Sequence, residues 1–207
     1  MAGKIDVFIF DAALSDEMSV AQRKRSISAA AHAFVRKHIS DAEGVAEDKL
    51  QLSYGISGKP FYPGSGVKFN ISHCGCTVAA AFSHGEVGVD IEAVRRFNPL
   101  VAERFFTEAE RNYVGASSEM GERTRRFYRI WTAKEACLKL YGVGIGGGLG
   151  FDTASGDGML KMISTEKYGS AALYSADFHR QNADGETIPF CLSLCSDKIE
   201  YVNILHI

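Results

Sequence analysis

The sequence predicts an α+β fold made of two halves of similar content. Strand-like and helical segments follow the order strand, helix, strands, helices, strands, which does not fit a repeating βαβ sheet. A polar break at Ser83-His84-Gly85 separates two groups of elements, giving units of residues 1–84 and 85–207. Apolar residues make up 46% of the 207-residue chain and charged residues 23%, enough to bury a core without disulfide or metal staples.

Residues 4–10 read as a buried strand because β-branched and aromatic side chains dominate them. From Val20 to His38 the apolar positions Ile27, Ala30, Ala31, Phe34 and Val35 recur at helical spacing. The runs 50–54, 67–72, 77–83 and 86–92 read as strands, with Gly58, Pro63, Gly64 and Gly66 marking loops between the first two. A second helical region starts near Phe105. There Thr107 and Glu110 form a capping-box pattern ahead of a helix through Val114. Residues 115–123 are small and polar and read as an exposed loop. The strongest helix covers 124–141, with Phe127, Ile130, Trp131, Leu138 and Tyr141 on one face and Gly142 ending it. Strand-like runs follow at 170–178, 188–195 and 199–206.

Several function classes are disfavoured by composition. A net charge of −2 gives no general attraction for nucleic acid. No apolar run is long enough to cross a membrane, and the segment Met1-Ala2-Gly3-Lys4 carries no apolar signal, so a cytoplasmic protein is expected. Cys74, Cys76, Cys137, Cys191 and Cys195 do not match a zinc-ligand spacing and read as reduced thiols without a chemical role.

The segment Val87-Gly88-Val89-Asp90-Ile91-Glu92 alternates apolar residues with Gly88, Asp90 and Glu92. One face enters a core. The other presents two carboxylates that repel unless a cation lies between them, and hard oxygen donors suit magnesium. Solvated acids on an exposed strand are the alternative. Trp131, Glu135 and Lys139 share one flank of the long helix at i, i+4 and i+8. The pair Glu135–Lys139 is either a surface ion pair or part of a phosphate site. Lys134 falls among the apolar residues, where an ammonium needs a route to water or an anion. Gly58-Lys59-Pro60 is a stiffened turn that presents a lysine, and Phe69-Asn70-Ile71-Ser72-His73 ends a strand with a hydroxyl and an imidazole. Ser72 and His73 point to opposite strand faces, which argues against a nucleophile–base pair. Gly142-Val143-Gly144-Ile145-Gly146-Gly147 matches the dinucleotide fingerprint, but it follows a helix instead of a strand. It reads as a C-cap and loop.

Taken together, Gly58-Lys59-Pro60, Phe69-Asn70-Ile71-Ser72-His73, Val87 to Glu92, Arg104-Phe105-Phe106 with Glu110, and Trp131-Thr132-Ala133-Lys134-Glu135-Ala136 with Lys139 resemble the phosphopantetheinyl transferases of the surfactin-synthetase-activating type. The blocks stand in the family's order and cover about residues 55–142. The resemblance implies a pseudo-dimer with coenzyme A in the cleft between halves, and transfer of 4'-phosphopantetheine to a serine of an apo acyl or peptidyl carrier protein. It implies magnesium on Asp90, Glu92 and Glu135, with Glu135 and Lys139 catalytic. Gly58, Lys59, Pro60, Asn70, Ser72, His73, Asp90, Lys134 and Lys139 become coenzyme A contacts by the same analogy. The chain before the first long helix is shorter than is usual in the family, leaving Arg25 and Lys24 as candidates for the 3'-phosphate. Glu110 is placed near the site by the family, but the capping box explains the same residue without function and is the favoured reading. The two-half architecture is compatible with a monomer. Two rivals remain: a non-catalytic module binding coenzyme A or a carrier, and another magnesium-dependent phosphodiester enzyme.

Overall fold

A computed structural model describes residues 3–144, 150–154, 160–165, 169–182 and 185–207. The chain forms a mixed α+β structure around two four-stranded sheets. Strand β1 (Lys4–Asp11) alternates as expected, burying Ile5, Val7 and Ile9. It lies between β5 (Thr77–Ser83), antiparallel, and β10 (Tyr201–His206), parallel, and β4 (Lys68–Cys74) completes that sheet on the far side of β5. The second sheet is wholly antiparallel, in the order β6 (Val87–Ala93), β9 (Thr187–Ser196), β8 (Gly169–Gln181) and β7 (Leu160–Thr165).

Alternation along the strands gives each sheet two buried faces. Ile5, Val7, Ile9, Ala79 and Ala81 of the first sheet meet Val87, Val89, Ile91, Leu192 and Leu194 of the second in one core. The other face of the first sheet packs on α1 (Val20–Glu43), whose buried Ile27, Ala31, Val35 and Ile39 repeat every four residues. Helix α1 starts at a Ser19–Gln22 capping box and ends at Gly44 in the left-handed region. On the outer face of the second sheet lies α4 (Met120–Tyr141), through Ala133, Ala136, Cys137 and Leu140. The result is four layers: helix, sheet, sheet, helix.

Gly88 fixes how closely α4 approaches. A Cβ there would lie 2.0 Å from the Ala136 carbonyl oxygen and 2.5 Å from the Leu140 amide nitrogen. The missing side chain at Gly88 therefore admits the backbone of α4. The edge strands β4 and β6 face one another across a seam bridged by side chains. Asn70 Oδ1 accepts from the Val89 amide at 2.9 Å, and Ser72 Oγ donates to Asp90 Oδ1 at 2.7 Å.

The structure departs from the sequence expectations at several points. Residues 50–54 yield only β2 (Ser53–Tyr54), paired in a two-stranded hairpin with β3 (Pro60–Phe61). Helix α2 (Pro99–Phe105) precedes the expected second helical region, nucleated by Pro99 at its first position and the Asn98 cap. Helix α3 (Glu108–Gly115) carries the expected capping box, but α4 begins at Met120, inside the expected 115–123 loop. Strand β10, within the expected unit 85–207, returns to pair with β1 in the first sheet. Gly142 caps α4 in the left-handed conformation, with φ of 66°. The rest of the expected glycine loop from Ile145 to Gly148 lies outside the described residues.

Candidate active site

Three elements converge on one cavity of about 340 Å³: β4 brings Ser72 and His73, β6 brings Asp90 and Glu92, and α4 brings Trp131, Glu135 and Lys139. Each position follows from local periodicity. Asp90 and Glu92 share a strand face, while Trp131, Glu135 and Lys139 share a helix flank. The close approach at Gly88 sets that flank against the strand.

Lys139 Nζ lies 2.7 Å from Asp90 Oδ1 and 2.8 Å from Ser72 Oγ, so lysine, serine and aspartate form a closed triangle. The other aspartate oxygen, Oδ2, is buried with no hydrogen-bond partner among the described residues. Such an atom is costly unless something binds it. Burial pushes the Glu135 carboxyl above its ordinary range; the Asp90 and Glu92 charges push the same way and Lys139 opposes them. Burial likewise raises the Glu92 carboxyl, partly offset by the Cys74 thiol that donates to Glu92 Oε2 at 3.2 Å. Burial holds that thiol protonated, pushing it up to about 11. His73 is lowered by burial and by the Lys139 and Lys24 cations.

As they stand, no three ligating side chains among the described residues form a ready metal group. The donor set nevertheless fits a hard divalent cation. It comprises crowded, desolvated carboxylates, one with a free buried oxygen, and a lysine that neutralises only part of the charge.

Three of the expected ligand residues, Lys134, Lys59 and Asn70, are engaged within the folded chain. Lys134 does not reach the cavity. It is wholly buried, lies 2.9 Å from Glu110 Oε2, and donates to the Phe151 carbonyl at 2.7 Å. Glu110 Oε2 also accepts from the Thr107 amide, as the capping box predicts, and Oε1 accepts from Thr153. The anion that Lys134 needed is internal. Lys59 donates to Glu86 Oε2 at 2.8 Å, Val87 O at 3.0 Å and Leu140 O at 3.1 Å, which uses all three ammonium protons. It ties the β2–β3 hairpin to β6 and to the end of α4. Lys24 and Arg25 are both exposed on α1, and the Lys24 charge reaches His73. Asn70 spends its carbonyl on the seam, and with Gly58, Lys59 and Pro60 it lines a second cavity of about 250 Å³ that shares Lys139 and Ile71 with the first. Ser72 pairs with Asp90 and not with His73, in keeping with opposite strand faces. Trp131 and Ile71 also line the cavity, and the position of Trp131 on the Glu135 flank of α4 is the sequence signal that points to it.

Among the described residues no helix is long and apolar enough to cross a membrane. The sequence model of the 4'-phosphopantetheinyl transferase superfamily matches residues 86–190, which contain β6 and α4. A 4'-phosphopantetheinyl transferase of Bacillus subtilis is 35% identical over 112 residues, covering 54% of this chain and 50% of its own length. A second, from Bacillus pumilus, is 37% identical over 114 residues, 53% of this chain and 48% of that one. The L-aminoadipate-semialdehyde dehydrogenase-phosphopantetheinyl transferase of Xenopus laevis is 33% identical over 139 residues, 60% of this chain and 46% of its own. The matches span about half the length of these curated relatives. With the family model covering just over half of the chain, and the acids of β6 and α4 inside that match, the protein belongs to the 4'-phosphopantetheinyl transferase superfamily.

Proposed function

We propose that this protein transfers the 4'-phosphopantetheine arm of coenzyme A to a serine of an apo acyl or peptidyl carrier protein, acting as a cytoplasmic monomer. The two sheets, each backed by one long helix, are read as halves of a pseudo-dimer with the active site in the cleft between them. The observation that carries the proposal is the single cavity holding Asp90, Glu92, Glu135 and Lys139, with one aspartate oxygen left over. Asp90, Glu92 and Glu135 would hold magnesium. When bound, the ion supplies positive charge to pyrophosphate oxygens.

The remaining chemistry falls to the chain's own side chains. Lys139 neutralises phosphate oxygens, and Ser72 donates a hydroxyl once a ligand replaces its aspartate partner. His73 and Lys24 offer donors on the α1 side for a further phosphate. Glu135, placed beside Asp90 and Glu92 on the cavity wall, takes the proton from the carrier serine. The serine oxygen then attacks the β-phosphorus. The phosphoanhydride bond breaks, and adenosine 3',5'-bisphosphate leaves. Such transfers need mainly positioning and charge neutralisation, which this arrangement can provide.

The test is to mix the protein with coenzyme A, magnesium and an apo carrier, then weigh the carrier. The expected result is a gain of one phosphopantetheine group, abolished by chelator and by Asp90→Ala. Coenzyme A binding without transfer to any of several carriers would favour a binding module instead.

A further inference from the structure

Outside the cavity, the described residues hold one thiol pair at contact distance in a dry setting. Cys137 of α4 and Cys195 of β9 are both fully buried, and their sulfurs lie 2.9 Å apart. That separation exceeds a disulfide bond of about 2.05 Å by less than 1 Å. Ala133, Ala136, Leu140, Ile163, Ala171 and Leu173 surround the pair. None of the five cysteines forms a disulfide in the structure.

The location is as informative as the distance. Cys195 is the cross-strand partner of Gly88, the residue at which β6 receives the Ala136 carbonyl of α4. Helix and sheet are already pressed together there, so a bond between the sulfurs asks for little movement. Cys74 and Cys76 also lie close in sequence, but Cys74 already donates to Glu92, and the tight Gly75 turn separates them.

We propose that Cys137 and Cys195 are a redox modification site that closes into a disulfide, stapling α4 to β9 behind the candidate active site. The oxidant is a low-molecular-weight disulfide such as oxidised glutathione. One protein thiolate attacks a glutathione sulfur and displaces one glutathione thiolate. The second protein thiolate then attacks the mixed disulfide and displaces the other. Two S–H bonds are lost, one S–S bond forms, and two reduced glutathione molecules carry away the electron pair and the protons. Burial makes the reaction slow in the folded state, so closure occurs when α4 lifts or while the chain folds.

The full-length protein is taken through one cycle of denaturation and refolding in a glutathione redox buffer, alkylated, and digested without reduction. The expected product is a single linked pair of peptides carrying Cys137 and Cys195, with two fewer alkylated thiols per chain. The oxidised form should melt roughly 5–10 °C higher than the reduced form, and dithiothreitol should reverse the shift. Cys137→Ala and Cys195→Ala should each abolish both the link and the shift, while Cys76→Ser should leave them unchanged. Recovery of Cys137 and Cys195 on separate alkylated peptides, or a link from either one to Cys74, Cys76 or Cys191, would overturn the proposal. Neither readout requires transferase activity, so the result is independent of the proposed function.

Discussion

Helix α4 carries two lysine–carboxylate pairs of opposite character. Lys134 and Glu110 are both 0% exposed in their side chains, whereas Lys139 and Asp90 are 28% and 8% exposed. In the first pair the partners are used up internally: Glu110 also accepts from Thr107 and Thr153, and Lys134 donates to a backbone carbonyl. In the second, Asp90 Oδ2 has no hydrogen-bond partner among the described residues, and the pair opens on a cavity with two more carboxylates. Both look alike as sequence. A saturated pair holds a scaffold together, whereas an unsaturated one can exchange its partner for a ligand.

The largest expected effect tests the saturated pair. Lys134→Ala leaves Glu110 buried without its cation, and breaking such a pair costs about 3–5 kcal/mol of stability. Denaturant melts should show that loss. Joint replacement by Lys134→Met and Glu110→Leu should recover only part of it, because the cap on α3 and the Thr153 bonds also go. A stable Lys134→Ala protein with lost coenzyme A affinity would erase the contrast and restore Lys134 as a ligand.

The open pair should behave in the opposite way. Asp90→Ala removes a carboxylate from the proposed metal set, and loss of one such electrostatic partner costs about 2.7–4 kcal/mol of barrier, or roughly 100- to 1000-fold in rate. Its melting point should fall little, because the carboxylate is incompletely paired in the folded protein. Carrier mass shift and thermal melting on the same preparation separate the two outcomes. Gly88→Ala bears on the geometry that keeps the open pair together. Its methyl group would collide with the Ala136 carbonyl, pushing α4 away from β6. Overpacking of this kind costs about 1–3 kcal/mol, and transfer should fall beyond what the lost stability explains. Unchanged activity would mean that Gly88 does not set the spacing.

Much of the open site was legible because it depends on short-range periodicity. A two-residue repeat placed Asp90 beside Glu92, and a four-residue repeat placed Glu135 between Trp131 and Lys139. Helical rotation also put Lys134 correctly among apolar residues. It could not say that the necessary anion was Glu110, since the capping box already accounted for that residue. The choice between Lys24 and Arg25 turns on about 100° of helix rotation and on how α1 docks, which neighbouring residues do not determine. The return of β10 to β1 depends on contacts between the two ends of the chain, and a local pattern is blind to them.

The smallest expected effect concerns Lys59, a third lysine with a character between the other two. It is partly exposed yet saturated, because Glu86, Val87 O and Leu140 O take its three protons. The Leu140 carbonyl belongs to the C-terminal turn of α4, where a cation also interacts favourably with the helix dipole. Replacing Lys59 with methionine keeps most of the stem and removes the ammonium. If Lys59 is a clip, stability should fall by about 1 kcal/mol, and KM for coenzyme A should change by less than about threefold. A phosphate ligand would give the reverse: an unchanged melt with KM raised on the order of tenfold or more, as expected from losing a charge-assisted hydrogen bond. Steady-state kinetics beside a denaturant melt therefore decide whether Lys59 belongs with Lys134 or with Lys139.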